Sequence, residues 1–192
     1  MKISLLLQQK LNIKLTESLA FLIDKESSIK KFHTRETILL EGEKGEGIYF
    51  IISGIIRGYY IDNGGNDITK CFSTENEFFS SEGLRTNSVS SFTIETLSQC
   101  ECVKIPYSLA KELINNEYEF KNLFIQLNLR EVEKLENRSR CLAILNAEER
   151  YIDFLNNSNE ILKNIELKFI ASYLGIRPPS LSRIRKKLKN LQ

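Results

Sequence analysis

"FIASYLGIRPPSLSRIRKKL", Phe169 to Leu188, begins as an amphipathic helix, stops at a glycine, passes two prolines and resumes as a helix crowded with cations. Just ahead of and inside it, Leu167, Ile170, Ala171 and Leu174 recur at the spacing of one helical face. Gly175 supplies the left-handed geometry that ends a helix without a Cβ penalty, and Ile176 is an apolar plug at the bend. Pro178 and Pro179 suit a first helical turn, where a missing amide donor costs nothing. In the second helix Leu181, Ile184 and Leu188 share a face. That register leaves Pro179, Ser182, Arg183 and Lys186 opposite, flanked by Arg185 and Lys187. A short helix, a glycine-bearing turn and a second helix with a basic outer face form the helix-turn-helix pattern, whose second helix enters the DNA major groove. Arginine suits bidentate contact with guanine, while serine and lysine serve phosphates or bases. The candidate DNA-binding residues are Arg177, Ser180, Ser182, Arg183, Arg185, Lys186 and Lys187.

Charge is distributed to match. The net charge of the 192 residues is only +2, yet seven of the 27 basic residues and none of the 25 acidic ones lie from Leu167 onward. A near-neutral total thus hides a basic end on an acidic body, which points to a polyanionic partner. With 42% hydrophobic residues the chain can bury a sizeable core. No apolar run approaches the roughly 20 residues of a membrane span, and "MKISLLLQQKLN" lacks the features of a secretory signal. Cys71, Cys100, Cys102 and Cys141 form no CxxC pair, so reduced thiols in a cytoplasm are expected, without a metal.

Upstream, two helical segments flank a β-rich one. Residues 1–32 read as helical, with Thr16 as a cap and Leu19, Leu22 and Ile23 at helical spacing. From Glu36 the texture changes to short β-branched and aromatic runs: "TILLEG", "GIYFIISGIIRGYYI", "DITKCF", "FTIETL" and "ECVKI". "EGEKGEG", "NGGN" and "SSEGLRTNSVSS" separate them as turns, and Asn63–Asn66 makes a good hairpin. The spacing predicts a β-roll of roughly 70 residues. "SLAKELINN" then reads as a short helix, and the run from Tyr118 as one about 40 Å long. Phe120, Phe124, Leu127, Glu131 and Leu135 mark a stripe on it, and a second copy of the chain is the expected partner.

These segments resemble the Crp/Fnr family of bacterial regulators, from about residue 20 onward and in the family's order. "IASYLGIRPPSLSRIRKKL" is similar to its helix-turn-helix, "EGEKGEGIYFIISGIIRGYY" to its cyclic-nucleotide-binding β-roll, and "AEERYIDFL" to the helix entering its DNA-binding domain. The resemblance implies an α+β fold: a jelly-roll-like double-stranded β-roll with N-terminal helices over residues 1–115, a dimerisation helix over 116–143, and an all-α helix-turn-helix domain over 144–192. Relatives often add a β-hairpin wing, so a version lacking most of it is expected. Arg183 matches the base-contacting arginine. Two polar contact positions fall on Pro178 and Pro179, which cannot reproduce them, so the operator cannot be copied from relatives. Family members that bind cyclic AMP place a glutamate on the ribose and an Arg-Ser pair on the phosphate. These positions match Glu77, Ser90 and Ser91, with Phe78 and Phe79 narrowing the site. A phosphate without a guanidinium loses its strongest partner, so the pocket is expected to be degenerate for cyclic AMP, with Arg85 a substitute only if its loop folds back.

The expected function is a cytoplasmic, homodimeric transcriptional regulator that places two recognition helices in successive major grooves of a pseudo-palindromic duplex, with RNA polymerase as a further partner. The small-molecule effector is left open. No cofactor is expected: there is no cysteine before Cys71 to hold an iron–sulfur cluster, and the single histidine, His33, sits in a polar loop. An enzyme is not expected, since one histidine cannot furnish a cupin metal site and no Gly-x-Ser-x-Gly elbow or Walker loop appears. The alternative is a ligand-sensing dimeric adaptor that no longer binds DNA.

Overall fold

The computed structural model describes residues 2–158 and 165–190. Helices α1 (Ile3–Leu11) and α2 (Glu17–Glu26) come first. Thr16 caps α2, its hydroxyl accepting the Leu19 amide, one of the donors a helix start leaves open. The helix then ends at Ser27, and residues 28–32 depart from the helical expectation: Ser28–Phe32 is strand β1. It pairs antiparallel with Cys100–Lys104, so a ladder from far along the chain overrides a locally neutral stretch.

The remaining strands are β2 (Thr37–Leu39), β3 (Gly47–Ser53), β4 (Ile56–Ile61), β5 (Asp67–Ser73), β6 (Phe78–Phe79), β7 (Thr93–Thr96) and β8 (Cys100–Pro106). A one-turn helix, α3 (Gly83–Thr86), lies between β6 and β7. Two four-stranded sheets result, in the orders β1-β8-β3-β6 and β2-β7-β4-β5. Side chains alternate across each strand. Ile51 and Cys102 join Ile56, Phe92 and Ile94 in a core shared by both sheets. On the other face of the first sheet, Phe50, Val103 and Ile105 meet Leu7, Ile23 and Leu109 from the helices. Gly54 turns β3 into β4 at φ +104°, and a Cβ there would strike the Cys100 sulfur and the Gln99 carbonyl.

Helix α4 (Tyr107–Asn116) packs on this core, and α5 (Tyr118–Ile144) follows as one continuous 27-residue helix. After it come α6 (Ala147–Asn157), α7 (Leu167–Tyr173) and α8 (Pro178–Lys189). Asn146 opens α6 with a capping box: it accepts the Glu149 amide while the Glu149 side chain returns to the Asn146 amide. The chain forms two compact units, Met1–Gly58 with Phe72–Leu127, and Tyr59–Cys71 with Asn128–Gln192. The tip of the β4–β5 hairpin therefore clusters with the C-terminal segment. Among the described residues no helix is long and apolar enough to cross a membrane.

Candidate nucleic-acid interface and roll cavity

Helix α7 closes in a Schellman motif. Gly175 takes φ +65°, its amide donates to the Ser172 carbonyl at 3.1 Å, and the Ile176 amide reaches the Ala171 carbonyl at 3.0 Å. Arg177 is the extended N-cap of α8, and Pro178 and Pro179 fill its first two positions. Leu181 is fully buried in a cluster with Tyr151, Phe154, Ile170, Ala171 and Leu174, and Ile184 and Leu188 pack against it. This anchoring fixes the rotation of α8 about its axis. Ser182, Arg183 and Lys186 are left exposed, as are Arg177 and Lys187, while Ser180 and Arg185 are half-buried. All seven nominated residues thus lie on or at the start of one short helix, around its solvent side.

Two local details shape what this face can hold. The prolines have no amide hydrogen, and the Ser180 and Leu181 amides both bond the Arg177 carbonyl, at 2.9 and 3.2 Å. Pro178 to Leu181 therefore leave no spare backbone donor in the first turn of α8, the usual place where a helix start holds an anion. Ser182 donates its hydroxyl to the Pro178 carbonyl at 3.1 Å, and the Lys187 ammonium lies 2.7 and 3.0 Å from the two carboxylate oxygens of Glu148.

The five α5 residues nominated for self-association separate. Phe120 is buried in the core of α1, α2, α4 and the first sheet, and Phe124 packs against the same core, so both are consumed within the protomer. Leu127 is half-buried, whereas Glu131 and Leu135 are exposed. The long apolar side chains that α5 leaves open along its middle are Ile125, Leu129, Val132 and Leu135. Steps of three and four residues set them in one stripe, rotated from the line through Phe120 and Leu127.

Inside the roll a cavity of about 420 Å³ is lined by Ile38, Leu39, Tyr49 and Ile94, by Ser80 and Ser81, and by the turn from Glu43 to Gly47. None of the five nominated pocket residues lines it. The Glu77 carboxylate accepts the Thr74 amide at 2.8 Å, closing its own turn. Phe78 rests against Phe50, and Phe79 stacks on Tyr49 with centroids 4.9 Å apart. Ser90 is buried and donates to the Phe92 carbonyl at 2.7 Å, while Ser91 and Arg85 are exposed. The side chains presented instead are Ser80 and Ser81, which follow directly on β6, a two-residue strand with no visible period. Ser81 lies 3.3 Å from the Tyr107 hydroxyl, and a Cβ on Gly45 would come within 2.8 Å of the Ser81 hydroxyl and 2.9 Å of the Tyr107 hydroxyl, so a larger residue there would have to push both aside.

Two buried features went unread in the sequence. Arg57 is 1% exposed, its guanidinium 2.8 Å from Glu95, whose carboxylate also meets Arg35 at 3.4 Å. Burial pushes the Cys102 thiol up to about 12. Among the described residues no cluster of His, Cys, Asp or Glu could hold a metal ion.

Residues 29–117 match the family described as cyclic nucleotide-binding domain. The chain is 27% identical over 118 residues to the cAMP-activated global transcriptional regulator CRP of Pasteurella multocida, a match spanning 61% of this chain and 55% of that protein. It is 25% identical over 187 residues to electron transport regulator A of Shewanella oneidensis, over 91% of this chain and 72% of that protein. The solved structure of FixK2 from Bradyrhizobium japonicum shares the fold, with a TM-score of 0.76 over 86% of this chain and 85% of that one, at 18% identity.

Proposed function

The chain is a homologue of the Crp/Fnr family of regulators, and from that premise we propose that it is a DNA-binding transcriptional regulator working as a homodimer in the cytoplasm. The observation that carries this reading is the rotation of α8. Leu181 is wholly inward, and Ser182, Arg183 and Lys186 consequently point to solvent from a helix without a single acidic residue. Arg183 reads base edges, Arg177, Arg185, Lys186 and Lys187 serve phosphates, and Ser180 and Ser182 fill the margins. The Ile125–Leu135 stripe of α5 pairs two copies, so that two recognition helices fall about 34 Å apart on successive major grooves. RNA polymerase is a further partner.

Residues 1–115 serve as the sensor, 116–143 as the pairing helix and 144–192 as the DNA-binding domain. The roll cavity presents serine hydroxyls and apolar walls beside Glu43 and Glu46, with Lys44 the sole lining cation among the described residues, and is degenerate for cyclic AMP. Selection of bound duplexes from a random pool, followed by gel shifts across a salt series, tests the reading. It predicts a pseudo-palindromic site with half-sites one helical turn apart and an affinity falling steeply with salt. Indifference to duplex sequence would overturn it.

A further inference from the structure

Strand β5 ends its sheet: in the order β2-β7-β4-β5 it has, among the described residues, a strand neighbour on one side only. Such an edge pairs promiscuously unless something covers it. Side chains from two helices of the same compact unit do so here. Ser172, in α7, donates its hydroxyl to the Asp67 carbonyl at 3.0 Å and accepts the Thr69 amide at 2.8 Å. A carbonyl and the amide two residues on are what a residue of a parallel strand would bond opposite Ile68. Arg138, in α5, extends the row. Its guanidinium donates to the Thr69 carbonyl at 2.9 Å and to the Lys70 carbonyl, and lies over the Tyr173 ring at 4.2 Å. Thr69 is fully buried.

The hairpin offering this edge is itself stiffened at its turn, where the Asp62 carboxylate accepts the Gly64 and Asn66 amides at 2.8 and 2.9 Å. Helix α7 in turn is locked to α8 through Ala171, Leu174 and Leu181 and through the Schellman closure. Serine inside a helix is a weak choice on propensity alone. At this position its hydroxyl substitutes for a missing strand.

We propose that Ser172 and Arg138 are positioning residues for DNA reading: they graft α7 onto the open edge of β5, and the hairpin thereby carries the recognition helix. The DNA part rests on the proposed function, whereas the graft can be tested without DNA. The full chain is compared with Ser172→Ala, Ser172→Thr and Arg138→Lys. Amide hydrogen exchange is followed at Thr69, and affinity is measured for the selected duplex and for a scrambled one. Ser172→Ala is expected to speed exchange at Thr69 about tenfold and to weaken the selected duplex by about the same factor. Scrambled-duplex affinity and its salt slope stay unchanged, because no cation of α8 is altered. Ser172→Thr restores both readouts. Arg138→Lys keeps the charge but loses the fork, and weakens the selected duplex alone.

Unchanged Thr69 exchange in Ser172→Ala overturns the graft. Faster exchange with an unchanged ratio of selected to scrambled affinity overturns the positioning role, as does equal loss on both duplexes. If the parent chain prefers no duplex, the proposed function falls instead, and the exchange data alone sustain or sink the graft.

Discussion

Arg57 is a full charge with 1% of its surface exposed, held 2.8 Å from Glu95 in the second sheet. Desolvating a guanidinium is tolerable only with its counter-charge in place. Glu95→Ala is therefore expected to destabilise the chain by about 3–5 kcal/mol in urea denaturation. Nothing in "IIRGYY" marks this arginine as internal, since an isolated charge reads as exposed until its partner on another strand is known. Cys102 behaves oppositely: with its thiol pushed up to about 12 by burial, it stays protonated and shielded at neutral pH. Alkylation at pH 8 followed by peptide mass analysis is expected to label Cys102 only after denaturant is added. The bend at Gly175, by contrast, was legible residue by residue, because a glycine and two prolines act through their own backbone angles.

Among the elements, α8 buries Leu181 and leaves Arg183 and Lys186 exposed on one face. Arg183→Ala is expected to cost about 1–3 kcal/mol on the selected duplex and to relax its base preference in gel shifts. Lys186→Ala weakens all duplexes more evenly, as loss of a phosphate contact should. Helix α5 shows what periodicity alone leaves open: which face of a helix its own core uses. The helix bears two apolar stripes, and Phe120 and Phe124, on the more obvious one, are spent on its own core. The exposed stripe gives the sharper test: Leu129→Glu with Val132→Glu is expected to halve the mass seen by analytical ultracentrifugation, with the circular dichroism spectrum unchanged. Strands β1 and β6 escaped the sequence for a related reason. Both exist through pairing with β8 and β3, and neither carries a period of its own.

For the whole molecule, the order of roll, long helix and paired helices was readable, because each segment's pattern is many residues long. The cavity was not. Ser80 and Ser81 line it directly after β6, a two-residue strand too short to show a period, and Glu77 does not. The consequence is measurable. Neither Ser80 nor Ser81 can replace a guanidinium opposite a cyclic phosphate. Titration calorimetry with cyclic AMP and cyclic GMP is expected to detect no micromolar binding.

The Glu148–Lys187 pair has a thermodynamic corollary. The lysine already rests on a carboxylate of its own chain, 2.7 Å away. When a phosphodiester takes that ammonium over, the duplex still sheds its condensed cation, but the pair with Glu148 is given up in exchange. Glu148→Gln should therefore tighten binding by a modest factor while leaving the slope of affinity against ionic strength nearly unchanged.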